Sequence, residues 1–147
     1  GKFENWWTDA AKKGFKERTA ALAAQYNAFE PIPGTKINGS LTLGENIGDL
    51  GGVEAAYAAY QKYQAKHGKA KVIGGLTGDQ RFFLAYAQAW RDKSREQALR
   101  ARIATDAHAP ARWRAQTVRN LDTWYPAFGV AAGQKLFLAP EQRVKVW

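Results

Sequence analysis

From Thr42 to Gly68 the chain reads as one long helix. Its opening turns, Leu43-Gly44-Glu45-Asn46-Ile47-Gly48-Asp49-Leu50-Gly51-Gly52, constrain the fold more than any other segment. Glu45 and Asp49 are four residues apart, so a helix places them on one face, one turn above each other. Four glycines share the stretch, each costing about 1 kcal/mol against alanine in a helix interior. Glycines kept at that cost point to close backbone approach. Two carboxylates on a closely approached face then point to a metal site or a buried polar network. A local reading competes: Thr42-Leu43-Gly44-Glu45 fits S/T-x-x-E, in which Glu45 only closes a capping box. Asp49 has the equally plain alternatives of a solvated carboxylate or a lysine partner.

The remaining pattern is helical as well. Thr8 is placed to cap a helix running to about Phe29, with Phe15, Leu22 and Tyr26 near helical spacing. Pro31 and Pro33 stop it, and Asn38-Gly39 marks a turn or small hairpin. Gly68 ends the long helix, and 69–75 reads as a loop. Thr77-Gly78-Asp79-Gln80 predicts a capping box opening an aromatic helix through Phe82, Phe83, Tyr86 and Trp90. Ser94-Arg95-Glu96-Gln97 predicts a second box and a short helix to about Ile103. Pro110 is expected at the first position of the next helix. Helical turns follow over 111–118 and 122–128, closed by Gly129, and the end from Leu136 is irregular or extended. The expectation is a mainly α single domain without internal repeats.

Composition narrows the chemistry. The 147 residues are 46% hydrophobic, enough to build a core, and include no cysteine, which removes disulfides and thiolate metal sites. No apolar run reaches the roughly 18–20 residues of a membrane span. The opening Gly1-Lys2-Phe3-Glu4-Asn5-Trp6-Trp7 lacks the organisation of a signal peptide, and there is no methionine anywhere. A processed or excised piece is therefore expected. The net charge of +9 permits an anionic partner, and a basic helical module binding nucleic acid or a protein stays open as an alternative. Against it, the basic residues are scattered along the sequence rather than gathered in a run.

Asp106 and His108 stand in a short loop just before Pro110, where the aspartate can accept a ring N–H and fix the tautomer. Arg112, Arg114 and Arg119 follow, any of which could bind a carboxylate or carbonyl. Zinc takes three or four ligands. The only histidines are His67 and His108, and H-E-x-x-H is absent. If a metal belongs here, this chain is not expected to hold it alone.

These residues carry a resemblance. Ile37 to Gly52 resembles the third-ligand segment of the neprilysin and endothelin-converting-enzyme family of zinc metalloendopeptidases, which has E-N-I-A-D-L-G-G there. Asn5-Trp6-Trp7-Thr8 resembles the N-W-W-T that follows that family's zinc-binding helix. Phe82 to Trp90 resembles its F-F-x-x-(F/Y)-A-Q-x-W helix. Asp106-Ala107-His108-Ala109-Pro110 with Arg114 resembles its D-x-H-x-P…R segment, and Val146-Trp147 its terminal R-V-W. The likeness runs in order along essentially the whole chain.

The resemblance implies the helical C-terminal part of a thermolysin-like (gluzincin) catalytic domain. Glu45 would be a Zn2+ ligand, beside two histidines of an H-E-x-x-H helix outside this chain. Asp49 would orient one of those histidines. His108, held by Asp106, would hydrogen-bond the oxyanion, and Arg114 would bind a substrate carbonyl. Ala89 and Trp90 would line the adjoining pocket. The implied partners are the N-terminal remainder of the peptidase and peptide substrates, with no nucleic acid and no membrane span in this chain. The implied setting is the periplasm or the cell exterior. A catalytically inactive member remains possible on these residues. Gly48 stands where the family has alanine, and Lys145 where it has arginine. Arg91 and Val144 occupy positions that are cysteines in the animal members, which implies a cysteine-free, bacterial-type member.

Overall fold

A computed structural model describes residues 4–146. Gly1, Lys2, Phe3 and Trp147, the last residue of the terminal motif, lie outside them. Helix α1 (Asp9–Asn27) starts where Thr8 accepts the Ala11 N–H at 3.1 Å, as its sequence predicts. Helix α2 (Leu43–His67) ends at Gly68, whose φ of 90° favours a residue without a side chain. Helix α3 (Gly78–Ala89) opens with the expected capping box: Gln80 N–H to Thr77 at 3.2 Å and Thr77 N–H to Gln80 at 2.9 Å. Then come α4 (Glu96–Thr105), α5 (Ala111–Ala115), a 3-10 turn (Gln116–Asn120) and α6 (Trp124–Phe128). Among the described residues there are no strands, only isolated bridges between Ile32 and Thr35 and between Ile73 and Leu76.

Three local expectations fail, two of them because another nearby group takes the side chain. Thr42 makes no cap bond: its hydroxyl donates to Asn38 O at 3.2 Å and accepts from Asn46 Nδ2 at 2.9 Å. Ser94 turns back to Asp92 at 2.9 Å, leaving Arg95 as an uncapped start to α4. Pro110 occupies the capping position rather than the first helical one, with its carbonyl accepting the Trp113 N–H at 2.8 Å. The Asn38-Gly39 turn is a loop, in which Asn38 Oδ1 accepts from Ser40 and Leu41 N–H.

Close backbone approach occurs away from the glycine-rich segment. A Cβ on Gly39 would lie 2.0 Å from Ala23 O, so this turn presses on α1. A Cβ on Gly78 would lie 2.1 Å from the Tyr60 hydroxyl, so the start of α3 presses on α2. At Gly44, Gly48 and Gly52 nothing among the described residues comes within 4 Å of such a Cβ. At these three positions the expected approach is not made among the described residues.

The core lies between the first half of α2, the middle of α1, the 3-10 turn and α6, around Leu22, Tyr26, Leu50, Phe83, Leu121 and Trp124. Buried positions of α2 end at Val53. Its second half leans on α3 through rings, with Tyr57 stacked on Phe83 at 5.0 Å and Tyr60 on Phe82 at 5.5 Å. One polar knot ties three chain segments. Asn120, 0% exposed, exchanges amide hydrogen bonds with Gln25 at 2.8 and 3.0 Å and accepts the Val144 N–H at 2.9 Å. Asn120→Ala strands the Gln25 amide and a buried N–H, so a loss of about 3 kcal/mol is expected in urea unfolding. A Gln25→Ala cycle should show strong coupling between the two.

The terminal segment is also held by charge. Arg143 Nη1 lies 2.8 Å from Asp122 Oδ1, its guanidinium stacks on Tyr125 at 3.6 Å, and Lys145 pairs with the other Asp122 oxygen. The hydrogen bonds from Lys145 and then Arg143 hold the Asp122 carboxyl below the usual carboxylate range. A depressed folded-state pKa adds stability above the unfolded value, about 3.9, and that stability goes as pH falls through the folded value. Hydrogen exchange at Val144 and Val146 should therefore be unchanged between about pH 7 and pH 5 after correction for intrinsic rates, and should accelerate only below about pH 4. Because the Asp122 side chain is half exposed, Asp122→Asn should cost about 1 kcal/mol or less.

Candidate metal and substrate site

The first turn of α2 presents Glu45, and the second presents Asp49 on the same face. The Glu45 side chain is 44% exposed and that of Asp49 is 8% exposed. The loop between α4 and α5 comes down over this face. There Asp106 Oδ1 accepts both the His108 backbone N–H at 2.9 Å and its Nδ1 at 2.8 Å, a local turn that fixes the ring. Those two bonds, backbone first, hold the Asp106 carboxyl below the usual range. Arg102 Nε adds a weaker contact at 3.7 Å. With Nδ1 spent on Asp106, Nε2 points the other way and meets Glu45 Oε2 at 3.0 Å. Both ring nitrogens thus face carboxylate oxygens.

Arg114 sits one helical turn past this loop, on α5. Its Nε and Nη2 meet Asp49 Oδ2 and Oδ1 at 2.7 and 2.8 Å, a two-point fork. The hydrogen bond to Asp49, before any other cause, raises the Arg114 pKa and keeps it cationic. Its guanidinium lies over the Trp90 ring at 3.9 Å, and Nη2 comes within 3.9 Å of Glu45 Oε2. Tyr86 Oη donates to the Arg114 carbonyl at 3.3 Å, and burial raises that hydroxyl's pKa.

The structure therefore brings Glu45, Asp49, Asp106, His108, Arg114 and Trp90 into one continuous contact network. Ala89 is exposed at the end of α3, beside Trp90 but outside this network. His67 is far along α2, stacked on Tyr63 at 4.3 Å. Tyr86 carries no site role in the sequence reading. Its spacing of four from Trp90 on one helix face is the signal that could have found it.

As a metal-ligand set the cluster is partial. Among the described residues no group of three or more His, Cys, Asp or Glu could hold an ion. Glu45 nevertheless fits a zinc donor: a half-exposed carboxylate at the mouth of the cluster, of a type zinc accepts. Asp49 already serves Arg114 through both oxygens, although a carboxylate has about four acceptor positions and room for a further donor.

The family model for peptidase family M13 matches residues 1–144. This chain belongs to peptidase family M13. It is 34% identical to rat (Rattus norvegicus) endothelin-converting enzyme 1, the match covering all of the chain and 19% of that protein. It is 36% identical to human neprilysin over all of the chain and 20% of that protein. Among solved structures, it superposes on the Mycobacterium tuberculosis zinc metalloprotease Zmp1 with a TM-score of 0.92 at 45% identity, over 97% of this chain and 22% of that one. PepO of Lactobacillus gives 0.79 at 32% identity, over 96% of this chain and 21% of that one. The M13 chain thus spans about a fifth of the length of these relatives, and its helical fold is that of the parts it matches.

Proposed function

We propose that this M13 chain is the C-terminal segment of the catalytic domain of a zinc-dependent endopeptidase that hydrolyses oligopeptides outside the cytoplasm. The supporting observation is the convergence of two separate arrays on one face: Asp106–His108–Glu45, and Asp49–Arg114–Trp90. Glu45 is the zinc ligand contributed by this chain, and two histidines of an H-E-x-x-H helix outside it complete the set. Bound zinc would supply Lewis acidity towards an amide carbonyl and an acidified water.

The chain's own residues do the rest. His108, its ring fixed by Asp106, presents an N–H donor at Nε2 to negative charge growing on the carbonyl oxygen. Arg114 presents guanidinium N–H groups to a neighbouring substrate carbonyl, and Asp49 and Trp90 hold that guanidinium flat and oriented. Trp90 and Ala89 flank the side chain just past the scissile bond. Asp49 also orients one zinc-binding histidine from outside the chain.

The isolated 147-residue chain should neither retain zinc through dialysis nor cleave peptides, and mixing with the remainder of the domain should restore both. Tight equimolar zinc binding by the isolated chain, measured by calorimetry, would overturn the single-ligand assignment. The net charge of +9 has no comparable convergence of functional side chains behind it, so the nucleic-acid reading lacks matching support.

A further inference from the structure

The far end of α2 has a different character from the end that carries Glu45. Twenty-five helical residues at about 1.5 Å each put the two ends more than about 30 Å apart. Beyond this end the chain folds into a small rigid pin. Ile73 and Leu76 exchange both backbone hydrogen bonds, at 3.1 and 3.0 Å, around Gly74 and Gly75 with φ of 58° and 77°. This is a two-residue turn of the type that needs positive φ at both positions. Arg81 Nη1 clamps the pin by donating to Lys71 O and Leu76 O, both at 2.8 Å. Gln64 anchors its root by accepting the Ala70 N–H at 2.9 Å.

So held, the pin turns aliphatic side chains outward: Val72 is 64% exposed and Ile73 63%, and Tyr63, near the end of α2, is 62% exposed. Lys69 and Lys71 flank the pin in the chain, and Lys62 and Lys66 stand on the last turns of α2; all four are exposed, and none makes an ion pair among the described residues. Four unpaired lysines thus accompany an apolar tip at this end of α2.

We propose that this pin is a peripheral docking site for an anionic bilayer surface. A polyanion such as nucleic acid would use the four lysines but has no use for a rigid aliphatic tip. The boundary between headgroups and acyl chains takes both. Val72 and Ile73 enter the acyl edge, Tyr63 lies at headgroup level, and the lysines extend their stems along the apolar surface while their ammonium groups reach anionic headgroups. Because the pin is at the opposite end of α2 from Glu45 and His108, docking leaves the site's face clear.

The test is co-sedimentation of the full chain with vesicles of phosphatidylcholine and phosphatidylglycerol, against phosphatidylcholine alone, at about 0.1 M salt. Binding to the anionic vesicles only is expected. Changing Lys62, Lys66, Lys69 and Lys71 to Gln should weaken partitioning about 100-fold or more. Val72→Ser with Ile73→Ser should weaken it about 10-fold with the charge untouched. A charge-matched control, Lys13, Lys16, Lys36 and Lys135 to Gln, should lose far less. The proposal is overturned if the full chain ignores anionic vesicles, or if the control loses as much as the pin variant. It is equally overturned if the serine variant binds unchanged, or if duplex DNA binds with the same lysine dependence and no need of Val72 and Ile73.

Discussion

Replacing His108 with alanine in the assembled peptidase should lower kcat by about 100- to 1000-fold, the cost of losing one well-placed donor to an oxyanion, while bound zinc is retained. The expectation rests on two separate fixations of the ring. Asp106 takes Nδ1 and the backbone N–H of the same residue, so ring and loop turn as one body. Nε2 is left at the mouth of the cluster, 3.0 Å from Glu45 Oε2, where a substrate carbonyl would compete for it. Asp106→Asn keeps a similar shape but loses the negative charge beside the imidazole. It should give a smaller loss in kcat. KM should change little in either variant, because the donor acts on charge that develops in the transition state. Single-turnover rates and metal analysis on the same sample separate the outcomes. A zinc-free His108→Ala protein would mean that the ring holds the metal or its ligand, and the donor role would fall.

The parts of this fold that the sequence foretold are those decided within one helical turn. Thr8 and Thr77 cap as written because their partners, Ala11 N–H and Gln80, are three residues away with nothing nearer to compete. Thr42 fits the same pattern and fails, because Asn38 O and the Asn46 amide claim its hydroxyl. Glu45 is thereby released from a capping role and meets His108, which no local rule could supply. The fork between Asp49 and Arg114 joins residues 65 apart, and the Asn120 knot joins α1 to the terminal segment across 95 and 24 residues. Spacing rules see one helix face, whereas such contacts depend on how two elements pack. The resemblance named the site residues without giving this geometry. It offered Asp49 as the orienter of a histidine, and only the folded chain gives it Arg114 as well.

The fork to Arg114 and the proposed histidine contact together make Asp49 a discriminating position. Glu45→Ala in the assembled protein should weaken zinc binding by well over the roughly 10- to 100-fold that loss of an outer hydrogen-bond partner costs a metal site, leaving an inactive, zinc-free protein after dialysis. The fold should survive, because Glu45 is half exposed and its one close partner is His108. Asp49→Asn should behave differently on both readouts. Zinc affinity should fall only within that 10- to 100-fold range. KM should rise, because the amide replaces one arm of the fork with a donor that repels Arg114. Trp90→Leu, which removes the stacking surface beneath the guanidinium, should share the KM effect and leave zinc untouched. Equilibrium zinc competition and steady-state kinetics on these three variants therefore give three distinct signatures. A zinc-loaded, active Glu45→Ala protein would refute its role as ligand. Equal zinc loss in Asp49→Asn and Glu45→Ala would show that the metal, rather than Arg114, is what Asp49 chiefly serves.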